Sequence, residues 1–308
     1  MARLLSTLLV LGLLGGTAAA FAVTEGLKLE KSPITGTRVT KVFSPTCRCP
    51  TDKASVDFNL RSADAVTVTI IGRAGRKLGN IAEGRRVPRG PVSLTWDGRN
   101  EFGTLVPDGA YRVRVHLADR HQTINLPNTI HVDTQAPVLT AGRVRPRVIS
   151  PDHDGRAEYV NLPFRVSKPA RPLLYVDGTQ TGRGRIVGEA GTVHWFGKLR
   201  GKPLRPGLYR MWLRAEDQVG NVSRPSRPMT VRIRFITLHP GVVHVRAGRR
   251  FSVGVASDAK RVHWLLHGRT GKGRPGILRV RAPKQAGSYT LYVTAVTHTA
   301  TVRVVVVR

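Results

Sequence analysis

From residue 40 onward, apolar residues recur at every second position in short bursts, as in Val66-Thr67-Val68-Thr69-Ile70. Gly, Pro, Asp and Asn separate the bursts. Period-two alternation marks a strand with one buried and one solvated face. In the first part of the chain the bursts predict strands at 55–60, 66–71, 92–96, 111–117 and 129–132. In the middle part they predict strands at 159–166, 173–176, 192–195, 209–215 and 230–236. In the last part they fall at 251–256, 262–266, 276–280, 289–296 and 299–307. Beyond the first two dozen residues, no stretch sustains a 3.6-residue period.

The pattern repeats. Gly109-Ala110-Tyr111, Gly207-Leu208-Tyr209 and Gly287-Ser288-Tyr289 each open an alternating run. A Trp precedes each of them: Trp96, Trp195 and Trp264. The Trp-to-Tyr gap is 15 and 14 residues in the first two copies but 25 in the third. The third copy is therefore related in plan rather than in detail. Pro107-Asp108-Gly109 and Pro206-Gly207 are turn signals, because Pro presets φ and Gly accepts a positive one. A Tyr just after such a turn predicts a corner in which its hydroxyl bonds back to the backbone. Short strands at this spacing predict an all-β chain of tandem Ig-like or fibronectin-III-like β-sandwiches. The expected divisions are 1–22, 38–136, 137–236 and 237–308, the first being a leader.

That leader pairs one basic residue, Arg3, with a Leu-rich run at 4–14. Ala18-Ala19-Ala20-Phe21-Ala22 follows, and its small residues fit a signal-peptide cleavage point after Ala20 or Ala22. Residues 4–23 carry no charge, so an uncleaved anchor helix of membrane-spanning length is the competing reading. Either one predicts that the remainder lies outside the cytoplasm, secreted or on the outer face of the envelope.

Charge sharpens the picture. The chain carries 50 Lys+Arg against 19 Asp+Glu, a formal net charge of +31. The surplus is graded: +7 over 1–136, +12 over 137–236 and +12 over the 72 residues of 237–308, where Asp258 is the sole acidic residue. Arginine dominates, and guanidinium forks match phosphate and carboxylate. Many of these Arg also alternate with apolar residues, as ordinary solvated strand faces do. If part of the charge binds a polyanion, Arg246, Arg249, Arg250, Arg261, Arg269, Lys272 and Arg274 are the candidates. Export makes nucleic acid an unexpected partner. An anionic envelope polymer, a lipid surface or an envelope protein is expected instead. Contact with a membrane is expected only through the N-terminal anchor.

Residues 95–111, Thr-Trp-Asp-Gly-Arg-Asn-Glu-Phe-Gly-Thr-Leu-Val-Pro-Asp-Gly-Ala-Tyr, resemble the Ig-like domain of the flagellar hook-capping FlgD family, with its W-D-G-x-(D/N)-x-x-G-x-x-(V/L)-P-x-G-x-Y pattern. Residues 66–76 and Val42-Phe43-Ser44-Pro45 resemble two upstream elements of that domain, so the resemblance covers roughly 40–135. A weaker copy follows in Ile149-Ser150-Pro151-Asp152-His153-Asp154-Gly155, in Trp195-Phe196-Gly197, which lacks the Asp, and in the A-x-D-x-x-G-N ending at 215–221. The resemblance implies β-sandwich modules of exported or surface proteins. It does not imply hook capping, since nothing in the chain matches the segment expected to bind hook proteins.

Candidate chemistry is sparse. The ten His occupy no zinc spacing, and there is no G-x-S-x-G elbow. Gly268-Arg269-Thr270-Gly271-Lys272-Gly273 lacks the spacing and the Ser/Thr of a phosphate loop and reads as a strand turn. A catalytic role and a cofactor are therefore not expected. Asp152-x-Asp154-Gly155 with Glu158 has the form of a calcium loop, although three side chains are fewer than calcium's six to eight oxygens. An Asx-type turn explains the same residues. Cys47-Arg48-Cys49 follows Ser44-Pro45 just as the Asp loop follows Ser150-Pro151. Outside the cell a local Cys47–Cys49 disulfide is expected, with free thiols, intermolecular links or half of a metal site as alternatives. Together these features predict a non-enzymatic exported repeat protein that binds or builds at the cell surface. The rival readings are a scaffold for an appendage or secretion machine and an accessory module of a secreted hydrolase.

Overall fold

The computed structural model describes residues 10–21 and 32–308. Residues 10–21 form an exposed helix. The start of the expected leader and the expected cleavage point after Ala22 lie outside the described residues. Among the described residues, no helix is long and apolar enough to cross a membrane. The rest is β-structure built around three separate apolar cores. By backbone proximity the chain divides into two compact units, residues 1–134 and 135–308.

The first unit is one sandwich. Its smaller sheet runs Ile34–Val39, Ala54–Leu60, Gly90–Trp96. Its larger sheet orders Val42–Phe43, Gln122–Val132, Gly109–Leu117, Asp64–Ile71 and Lys77–Val87. The sandwich starts at Ile34, four residues before the expected boundary at 38. Inward positions of both sheets fill the core, among them Phe43, Phe58, Ile70, Leu117 and Ile130, all essentially sealed from solvent.

The second unit holds two sandwiches of the same plan. In the former, Ala190–Trp195, Val160–Val166 and Leu139–Ala141 face a sheet ordered Val148–Ile149, Met229–Ile233, Gly207–Asp217, Ala170–Val176 and Thr179–Arg183. In the latter, Thr237–His239, Arg250–Ala256 and Gly276–Arg281 face Val242–Arg246, His298–Val307, Gly287–Ala295, Val262–Leu266 and Arg269–Gly273. Each large sheet has a short edge strand running parallel to its neighbour: Val42–Phe43, Val148–Ile149 and Val242–Arg246. The two sandwiches of this unit touch where the Phe235 ring stacks on His298, with centroids 3.6 Å apart.

The Tyr corners are present in all three copies. The hydroxyls of Tyr111, Tyr209 and Tyr289 donate to the carbonyls of Pro107 (2.5 Å), Arg205 (2.7 Å) and Gln285 (3.0 Å). The Trp positions are not equivalent. Trp96 and Trp195 end corresponding strands of the small sheets, are buried, and donate Nε1–H to the carbonyls of Arg99 and Lys198. Trp264 instead lies on Val262–Leu266 of a large sheet, where its indole covers Gly271. The third sandwich's counterpart strand, Gly276–Arg281, has no aromatic residue. This difference of strand is the physical reason for the longer third Trp-to-Tyr gap.

Candidate functional site

The third sandwich gathers positive charge at one end. Antiparallel pairing sets Arg250 directly opposite Arg281. The turn before Arg250 is tied to the same place, because the Gly248 amide donates to the Pro283 carbonyl and the Ala282 amide to Arg249. The hairpin turn His267-Gly268, closed by Arg269, adds the third wall. The result is a concave site of about 570 Å³ lined by Gly248, His267, Arg269, Arg281, Ala282, Pro283, Lys284 and Gln285. Arg246, Arg249 and Arg250 flank it and are exposed. Like charges converging on a dent, with the carboxylate-poor chain around them, set up an attractive field for an anion.

The seven basic residues singled out from the sequence are thus divided. Arg246, Arg249, Arg250 and Arg269 belong to this end. Arg261, Lys272 and Arg274 lie toward the other end of the hairpin, where Val262 pairs with Gly273 and His263 with Lys272. Arg281 and Lys284 were not among the candidates. Arg281 becomes adjacent to Arg250 only through strand pairing across 31 positions, which spacing along the chain does not reveal.

The loops after the two Ser-Pro pairs occupy equivalent places, each following the short parallel edge strand. In the first, Cys47 and Cys49 form a disulfide with Cα atoms 5.2 Å apart, around Arg48 at φ 51°. In the second, Asp152, Asp154 and Glu158 bring one carboxylate oxygen each to within 4.8 Å of one another. The Arg156 amide donates to Asp154 Oδ1 at 2.8 Å and the Gly155 amide to Glu158 Oε1 at 3.0 Å. Burial first, then the carboxylates of Asp154, Asp258 and Glu158, hold the Asp152 carboxyl above its ordinary range, opposed by a hydrogen bond from the Asp154 amide.

The polar residues of the repeated signatures serve as turn anchors. Asp97 Oδ1 accepts from the Arg99 amide, and Asn100 Oδ1 accepts from the amides of Phe102 and Thr104. Asp108 Oδ1 accepts from both the amide and the hydroxyl of Thr134. In the second sandwich, buried Asp217 accepts from the amides of Val219 and Asn221, from the Asn221 side chain, and from Lys168 at 2.7 Å. His194 is exposed and meets Tyr159 edge-on, and His263 faces solvent.

Residues 46–120 match the FlgD Ig-like domain family. No curated protein matches the chain. Among solved structures, a three-Ig-domain segment of titin is similar at 12% identity and a TM-score of 0.34, covering 90% of this chain and 98% of that one. A segment of a 1.5-MDa bacterial ice-binding adhesin is similar at 14% identity and a TM-score of 0.31, covering 89% and 97%. The four N-terminal Ig domains of a Dscam1 isoform are similar at 13% identity and a TM-score of 0.20, covering 88% and 72%. By its own sheet topology and three apolar cores the chain is a tandem array of Ig-like sandwiches, and residues 46–120 of the first match the FlgD Ig-like domain.

Proposed function

We propose that the chain is an exported, non-catalytic attachment module whose third sandwich binds an anionic polymer of the cell envelope. The observation that carries this reading is the basic end of that sandwich. Arg269, Arg281 and Lys284 converge on one concave site, with Arg246, Arg249 and Arg250 around its rim. The single acidic residue of 237–308, Asp258, sits in the loop after the strand Arg250–Ala256, at the opposite end from Arg250. A repeating phosphate or carboxylate polymer can lie along such a site through several weak contacts at once. The leader read from the sequence supports export, and the basic end belongs to a sandwich with its own apolar core.

Pull-down from an envelope fraction at rising salt tests the reading. At about 0.5 M salt the screening length falls to roughly 4 Å, so captured polymer is expected to be released. Replacing Arg269, Arg281 and Lys284 together by Glu is expected to abolish capture at low salt. Salt-resistant, stoichiometric capture of one protein would overturn the electrostatic reading and favour an assembly scaffold.

A further inference from the structure

The acidic loop of the second sandwich does not end with its own three carboxylates. Asp152 is only 7% exposed, and its Oδ2 is sealed from solvent with no hydrogen-bond partner. Facing it from the third sandwich is Asp258. Asp258 Oδ2 accepts a hydrogen bond from the buried Ser150 hydroxyl, and its main-chain carbonyl accepts from Arg156 Nη1 at 3.2 Å. Its other carboxylate oxygen, Oδ1, is also buried and without a partner. Two sandwiches therefore each bring an unpartnered carboxylate oxygen to the same joint. Leaving buried anionic oxygens unpaired is costly, and nature usually resolves it by pairing or by a metal. The Arg156 guanidinium beside the cluster donates to a main-chain oxygen, and the structure shows no ion pair from it to these carboxylates. Clustered carboxylate oxygens are the ligand set of a hard divalent cation.

We propose that a divalent cation of the calcium class binds Asp152, Asp154 and Glu158, with Asp258 supplying further negative charge from the neighbouring sandwich, and so clamps the joint between the second and third sandwiches. Four carboxylates would then serve one ion instead of repelling one another. The loop's geometry suits this division: Asp152 is buried at the floor, whereas Asp154 and Glu158 are half-buried at the rim. The proposal is independent of the basic end and of any polymer it binds.

The test uses the full chain, stripped with a chelator and titrated with calcium alone in a calorimeter. One ion per chain is expected, together with a rise in unfolding temperature that grows with calcium up to about 1 mM, as a ligand of the folded state requires. Magnesium, which dehydrates reluctantly and demands a stricter octahedron, should bind at least about tenfold more weakly. Asp152→Asn and Asp258→Asn should each weaken calcium at least about tenfold, because each removes a charge from the set. Both variants should fold without metal, since they relieve repulsion while keeping shape. Glu158→Gln, at the rim, provides the same readout should Asp152→Asn lose the fold. Absence of heat and of any stabilisation at about 5 mM calcium would overturn the site. Calcium binding at wild-type strength in Asp258→Asn would overturn the clamp while leaving a loop site.

Discussion

Gly98 sits at φ +76°, and a Cβ there would lie 2.9 Å from the ring of Pro45. Gly103, in the same signature, has φ +73° but open space around it. Alanine at 103 is expected to cost about 1 kcal/mol from backbone strain alone, whereas alanine at 98 should cost roughly 2–4 kcal/mol because overpacking adds to it. Urea unfolding of the two variants checks the ordering, and equal costs would contradict the packing argument. Asp217→Ala removes the buried acceptor shared by four donors, so a loss of roughly 3 kcal/mol is expected in the same assay. Tyr111 is a milder case, but it has a pH signature. Burial, and then Asp108, raise its hydroxyl above the ordinary 10.0. A raised folded-state pKa means stability that is present below 10.0 and is lost as pH rises through the folded value. Tyr111→Phe should therefore cost about 1 kcal/mol near neutrality for the lost hydrogen bond, and should flatten the alkaline fall. The signature residues were legible in the sequence as a pattern. Their wiring as turn anchors was not, because a motif does not state which amide an Asp or Asn reaches.

At the level of strands, the alternating runs marked the central strands well. Val66 through Ile70 and Val253 through Val255 show the alternation that a half-buried strand requires. The edges escaped. Lys77–Val87 has no alternating burial, is bulged against its neighbour, and is interrupted by Gly79 and Gly84, so its pattern carries no period-two signal. The two-residue parallel strands Val42–Phe43 and Val148–Ile149 are too short to show a period at all. Trp264 illustrates a different failure. Its place ahead of a Gly-x-Tyr run imitated that of Trp96 and Trp195 despite the longer gap, yet the strand pairing places it on the other sheet over Gly271. A Cβ at 271 would fall 2.4–2.7 Å from the indole. Gly271→Ala is therefore expected to displace Trp264, shifting its fluorescence and costing roughly 1–3 kcal/mol. An unchanged Trp264 environment, read with the other three Trp replaced by Phe, would contradict the stacked arrangement.

Over the whole molecule, the surplus of +31 first reads as a diffuse property of composition. Strand alternation accounts for part of it, since exposed Arg112 and Arg232 stand on solvated faces between buried Tyr111, Val113, Val231 and Ile233. What the linear sequence could not show is convergence. Arg250, Arg269 and Arg281 come from three different strands and meet only because the two sheets of the third sandwich end together. The acidic loop followed the same rule: Asp152, Asp154 and Glu158 were visible as a local run, whereas Asp258 joins them from a hundred residues away through the fold. The most direct measurement of the central claim is the affinity of the full chain for long-chain polyphosphate, compared with the Arg269→Glu, Arg281→Glu, Lys284→Glu triple variant. The basic-end account predicts binding at about 0.05 M salt that disappears by about 0.5 M, and at least tenfold weaker binding by the variant with its unfolding temperature unchanged. Binding indifferent to salt, or a variant that binds as tightly as the parent, would contradict it.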